Sequence, residues 1–157
     1  MCTGVRFADA AGNLYFGRNL DWCESYGEGV VITPRGASIP TQFLGSLSPE
    51  HACVGMGIVV GGVPCYFDCA NEAGLAIAGL NFPGYAQFAE APEKGAVNVA
   101  AYEFPLWVAA SFSTVAEVRK ALKDVVIVAK APSEGYGVAQ LHWLVGDGKE
   151  SIVIECQ

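Results

Sequence analysis

Between residues 53 and 81 the chain is apolar on both parities. The runs 53–60, 63–69 and 75–81 are separated by Gly61-Gly62 and by Asn71-Glu72-Ala73-Gly74. A strand with one wet face alternates apolar and polar side chains, whereas a strand that is apolar throughout needs cover on both faces. These runs therefore predict a meander at the centre of a layered protein, with material packed above and below it. This requirement constrains the fold more than any other feature of the chain.

The flanking segments supply candidate layers. Residues 3–8 and 14–20 read as two strands around Asp9-Ala10-Ala11-Gly12-Asn13, with Leu14, Phe16 and Leu20 sharing one face. A third strand, 29–33, is stopped by Pro34-Arg35-Gly36. Residues 82–100 form a long Pro/Gly/Ala-rich connection. Two helices follow: 102–110, and one starting at Thr114, where Thr114-x-x-Glu117 makes a capping box and Val115, Val118 and Leu122 share a side. Strand returns at 125–129, a loop spans 130–138, and 141–145 with 151–156 form a hairpin around Gly146-Asp147-Gly148-Lys149. Strands, two helices, then strands predict a layered α+β domain over residues 1–157. Two short helices cover little of such a sheet, and the sequence stops just after an apolar strand. The reading is of a truncated domain.

Composition excludes several functions. A net charge of −7 repels nucleic acid and anionic membranes, so neither is expected as a partner. No apolar run approaches the ~20 residues of a membrane span. No basic segment with an apolar stretch opens the sequence, which argues against a signal peptide or a lipoprotein cysteine and for a cytoplasmic protein. In that compartment Cys2, Cys23, Cys53, Cys65, Cys69 and Cys156 are reduced thiols. Cys65 and Cys69 have no CxxC partner, and His51 and His142 lie in no ligand-like spacing with them. No metal site and no cofactor are expected.

Cys2 is the candidate for chemistry. With Met1 removed it would carry a thiol and a free α-amine together. The amine titrates near ~7.7–8.0 and serves as base, while the thiol, near ~8.5, serves as nucleophile. A second-position cysteine could equally be packing in the first strand, so its neighbours decide. A hairpin centred on Ala11 pairs residues whose numbers sum to 22, which sets Cys2 opposite Leu20 and places Arg18 and Asp21 within the roughly 7–8 Å diagonal reach. A guanidinium beside a thiol favours the thiolate, and a carboxylate near the α-amine can orient it.

Met1-Cys2-Thr3-Gly4 with Phe16-Gly17-Arg18-Asn19-Leu20-Asp21-Trp22 resembles the choloylglycine hydrolase family, which contains the bile salt hydrolases and penicillin V acylases. The resemblance continues through Asn71–Leu75, Ala78–Pro83, Phe104–Val108, Leu141-His142-Trp143 and Ser151–Glu155. It implies the αββα sandwich of N-terminal nucleophile hydrolases. It also implies Cys2 as nucleophile, Arg18 and Asp21 as its supporting pair, and Asn81 as an oxyanion-hole donor. Asparagine rather than tyrosine at 81 points to bile salts over penicillin V. Trp22, Val60, Phe67, Tyr136 and Leu141 match positions near the family's steroid pocket. The implied activity is cofactor-independent hydrolysis of glycine- or taurine-conjugated bile salts, small amphipathic substrates, by a homo-oligomer. Penicillin V or N-acyl-homoserine lactone acylase activity is the alternative, and so is a non-catalytic remnant that binds amphipathic acids. The family draws a further asparagine and arginine from a second half beyond these residues.

Overall fold

The computed structural model describes residues 2–156. Its strands are β1 (Thr3–Ala8), β2 (Leu14–Asn19), β3 (Gly29–Thr33), β4 (Ile39–Thr41), β5 (Gly45–Leu47), β6 (Cys53–Val60), β7 (Val63–Asn71), β8 (Ala76–Asn81), β9 (Val97–Ala100), β10 (Val125–Val128), β11 (Leu141–Gly146) and β12 (Ser151–Ile154). Helices α1 (Phe104–Ser111) and α2 (Val115–Ala121) lie between β9 and β10. The central sheet has six antiparallel strands in the order β12-β11-β8-β7-β6-β3, so the expected meander forms its middle.

Helix α1 packs on β7 and β8. Leu75, Ile77, Trp143 and Val145 are fully buried beneath this helical layer, together with Phe104, Leu106 and Val108 from α1. The β1–β2 hairpin lies on the other face of the sheet. A Cβ at Gly4 would meet Leu80 and Leu144, and one at Gly146 would meet Phe16 and Arg6. Both parities of β8 are therefore buried, as its sequence requires: Ala76, Ala78 and Leu80 face the hairpin and Ile77 faces the helices. On β3 and β6 the hairpin side is open, with Val30, Ile32, Val54 and Met56 exposed.

The elements differ from expectation in places. Helix α1 starts at Phe104 rather than 102, because Pro105 sits in its first turn, where a missing N–H costs nothing. The capping box of α2 is present: Glu117 N–H donates to Thr114 Oγ1 at 3.2 Å, and Thr114 N–H to Glu117 Oε2 at 3.3 Å. The 82–100 connection ends in β9, which pairs in parallel with β10. Four residues are too few for a readable period, and a parallel partner 28 positions away leaves no turn signal. The three-residue strands β4 and β5 are too short for the same reason.

Candidate active site

The site begins with a turn. Asp9 Oδ1 accepts the backbone N–H groups of Ala11 and Asn13, at 2.9 and 2.8 Å, and Gly12 takes a φ of +84° that only glycine adopts without strain. This closure sets the register: Thr3 faces Asn19, Gly4 faces Arg18, and every pair sums to 22. Asn19 Oδ1 also accepts the N–H of Thr3 and pins the residue after Cys2. A second tether holds the hairpin to the sheet, where Arg6 Nε donates to Asp147 O at 2.9 Å. The carboxylate of Asp147 in turn accepts the Val115 N–H at the start of α2.

Cys2 is half-buried just before β1. Burial alone would raise its thiol pKa. Hydrogen bonds from the backbone N–H groups of Asn81 and Asp21, with the charge of Arg18, act against burial and leave the thiol below its ordinary value. Cys53 and Cys65 move the opposite way: burial pushes both up to about 11. Cys69 and Cys156 are also raised by burial. The electrostatics of the fold thus single out Cys2.

The Arg18 side chain is only 7% exposed. Its Nη2 donates to the carbonyl of Gly79 on β8, and its Nε lies 3.7 Å from Asp68 Oδ2 on β7. Asn81 ends β8 opposite Leu141 of β11, and it reaches Cys2 through its main chain. The four residues expected at the site, Cys2, Arg18, Asp21 and Asn81, are therefore brought together. Of these four, Arg18 alone lines a cleft of about 340 Å³, together with Phe16, Gly17, Val54, Asp68 and Ala70 among others. Among the described residues, no three His, Cys, Asp or Glu side chains are grouped so as to hold a metal ion, and no helix is long and apolar enough to cross a membrane.

The expected pocket residues divide. Phe67 and Tyr136 are linked through Tyr26, whose ring lies 6.0 Å from Phe67, edge-on, and 6.3 Å from Tyr136. Leu141 is beside Gly79, 3.2 Å from where a Cβ would stand. Trp22 is exposed beyond β2, and Val60 sits at the hairpin end of β6, paired with Val63. Two residues escaped the sequence reading. Tyr26 is an aromatic in the polar 20–28 loop and gave no periodic signal. Asp68 did leave one, as a single carboxylate in the apolar run 63–69.

The chain is similar to known proteins in sequence and in fold. Residues 2–157 match the family model of linear amide C–N hydrolases, choloylglycine hydrolase family. A conjugated bile acid hydrolase from Lactobacillus gasseri is 53% identical over 155 residues, covering 99% of this chain and 49% of that protein. A bile salt hydrolase/transferase from Bifidobacterium longum subsp. longum is 56% identical over 156 residues, again 99% of this chain and 49% of the relative. The crystal structure of the mutant C2A conjugated bile acid hydrolase from Clostridium perfringens superposes with a TM-score of 0.95 at 36% identity, over 100% of this chain and 48% of that one. The chain spans about half the length of the curated relatives it matches. It belongs to the choloylglycine hydrolase family, and its fold is of the N-terminal nucleophile hydrolase type.

Proposed function

We propose that this choloylglycine hydrolase family member belongs to a cysteine-nucleophile amidase that cleaves the amide bond of glycine- or taurine-conjugated bile salts, with residues 1–157 forming part of a single catalytic domain. The activity of similar proteins supports the substrate class. The observation that carries the mechanism is the setting of Cys2, which the hairpin register places by Arg18 and the end of β8, with its thiol lowered where four buried ones are raised.

With Met1 removed, the Cys2 thiolate attacks the amide carbonyl carbon and a C–S bond forms. Negative charge collects on the carbonyl oxygen, where Asn81 is the candidate donor; one such donor is worth ~2.7–4 kcal/mol in the transition state. The C–N bond then breaks, and the leaving amine takes a proton from the α-ammonium. The neutral α-amine next deprotonates water, which attacks the thioester and releases the bile acid and the thiol. Asp21 orients the α-amine, Arg18 holds the thiol as thiolate, and Phe67, Tyr26, Tyr136 and Leu141 offer apolar surface to the steroid.

The test is turnover of glycocholate by processed protein, followed as released glycine and as a pre-steady-state burst. Preferred turnover of penicillin V or an N-acyl-homoserine lactone would replace the substrate class. Binding of bile acid without a burst would replace enzyme with binding protein.

A further inference from the structure

A guanidinium as enclosed as that of Arg18 is expensive. Burying an unpaired charge costs several kcal/mol after relaxation, so a buried cation persists where an opposing charge meets it. Nη2 is satisfied by Gly79 O, but Nε and Nη1 are buried without a hydrogen-bond partner. The ion pair to Asp68, at 3.7 Å, supplies the opposing charge.

Asp68 reaches this position because the β6–β7 ladder slips by one residue. Met56 faces Asp68, yet Gly57 faces Tyr66, so Phe67 is left over as a β-bulge. Without the bulge, alternation would send Tyr66 and Cys69 to opposite faces. With it, Tyr66 and Cys69 both join the core beneath the helices, Cys69 next to Pro105 O of α1. Phe67 and Asp68 then meet Tyr26 and Arg18 on the hairpin side. The opposing strand is adapted to this slip. A Cβ at Gly55 would lie 2.0 Å from Asp68 O, and one at Gly57 would lie 2.4 Å from Cys65 O. Bulges concentrate beside active sites because they re-aim a side chain.

We propose that Asp68 is the positioning residue for Arg18: carried to the hairpin side by the Phe67 bulge, its carboxylate holds the guanidinium against the Cys2 thiol. The cleft alongside gives an unheld guanidinium room to leave. The groups facing Asp68 are Arg18 from β2, the Met56 N–H from β6 and its neighbour Cys69. Burial raises its carboxyl, and Arg18 and Met56 only partly offset that. The hold therefore loosens at a higher pH than an ordinary carboxylate would allow. The inference rests on the reading of Cys2 as a thiolate kept by Arg18.

The experiment is the pH dependence of Cys2 alkylation by iodoacetamide in the full-length processed protein, which needs no substrate. Asp68→Asn should raise the thiol midpoint by about one unit, seen as roughly tenfold slower alkylation at slightly acid pH. Asp68→Glu should recover most of the rate. In turnover, Asp68→Asn should lower kcat per active site, counted by the burst amplitude, and leave KM in place; mere loss of stability would lower the burst amplitude instead. An unchanged or lower midpoint in Asp68→Asn, with Arg18→Gln still raising it, overturns the inference. If Arg18→Gln also leaves the midpoint unmoved, the reading of Cys2 and Arg18 itself fails. Should Asp68→Asn not fold, 15N-arginine labelling of the unsubstituted protein gives the same answer. The Arg18 Nε–H signal should lose protection as Asp68 takes up its proton, and a signal indifferent to that titration overturns the inference.

Discussion

Removing the side chain of Asn71 should cost the protein about 4 kcal/mol, from four hydrogen bonds worth ~1 kcal/mol net each. Asn71 is 7% exposed at the β7–β8 turn. Its Nδ2 donates to Ala109 O at 2.8 Å and to Phe112 O at 2.7 Å, both at the C-terminal end of α1. Its Oδ1 accepts from Ala73 N and Leu75 N, each at 3.0 Å. One amide thus ties the helical layer to the turn that leads into β8. Asn71→Ala strands two helix-terminal carbonyls and the N–H of Leu75, a residue with no exposed surface. A buried orphan costs ~1–3 kcal/mol and three cost ~3–9 kcal/mol, so ~4 kcal/mol is a lower-middle value and a large share of a domain's ~5–15 kcal/mol. At ~2–4 °C per kcal/mol, Tm should fall by roughly 10 °C. The assay is urea unfolding of the full-length protein with m held to the unsubstituted value. A loss under about 1 kcal/mol at unchanged m would mean that water or a shifted turn replaces these bonds, and would refute the reasoning.

Other outcomes follow from the same geometry. Mass spectrometry of active protein should show Met1 absent, because an amide nitrogen has no basic lone pair; full activity with Met1 retained would refute the terminal-amine mechanism. Cys2→Ser should fold but lose at least ~100-fold in kcat, since an alcohol is a far weaker nucleophile at neutral pH. Cys53→Ser should leave chemistry intact; equal losses at both positions would remove the special role of Cys2. Glu72, held at about 2 first by its hydrogen bond to Arg35 and then by the Ala52 N–H, has a folded pKa below the unfolded ~4.3. Its contribution to stability is therefore complete above ~4.3 and lost as pH falls towards 2. Arg35→Gln should move the Glu72 titration upward in carboxyl-detected NMR.

Much of the site was legible because one hairpin builds it. Asp9, Gly12 and Asn13 announce a turn, the turn fixes a sum of 22, and that arithmetic alone brings Arg18 and Asp21 within reach of Cys2. What stayed hidden depends on irregularity. Alternation assigns a face to each residue of a regular strand, so a slip inside β7 reverses the assignment without leaving a mark in the apolar pattern. The only traces were Asp68 itself and the pair Gly55 and Gly57 across the ladder. The main-chain contact of Asn81 was illegible for a related reason. Side-chain chemistry can be read from the residue name, whereas the N–H that meets Cys2 belongs to every residue but proline.

On the proposed reading, the bulge and the hairpin together let two charged residues prepare the thiol. The hairpin delivers the guanidinium from one layer, and the slipped strand delivers its counter-charge from the other. Their meeting point lies against Gly79 O and at the wall of the cleft lined by Phe16, Val54 and Ala70. A charge held between two layers feels less water than one on a surface and acts more strongly on its neighbour. Both layers must keep their registers for this to work: a two-residue slip in β1–β2 would carry Arg18 away from Cys2, and loss of the bulge would turn Asp68 towards the helices. The stability of the turn at Asp9 and of the Gly55–Gly57 contact is therefore part of the reactivity of Cys2. Substitutions at the Asp9 turn should change the thiol midpoint, and a Cβ at Gly55 or Gly57, which must displace the backbone of Asp68 or Cys65, should change the midpoint and the ladder together.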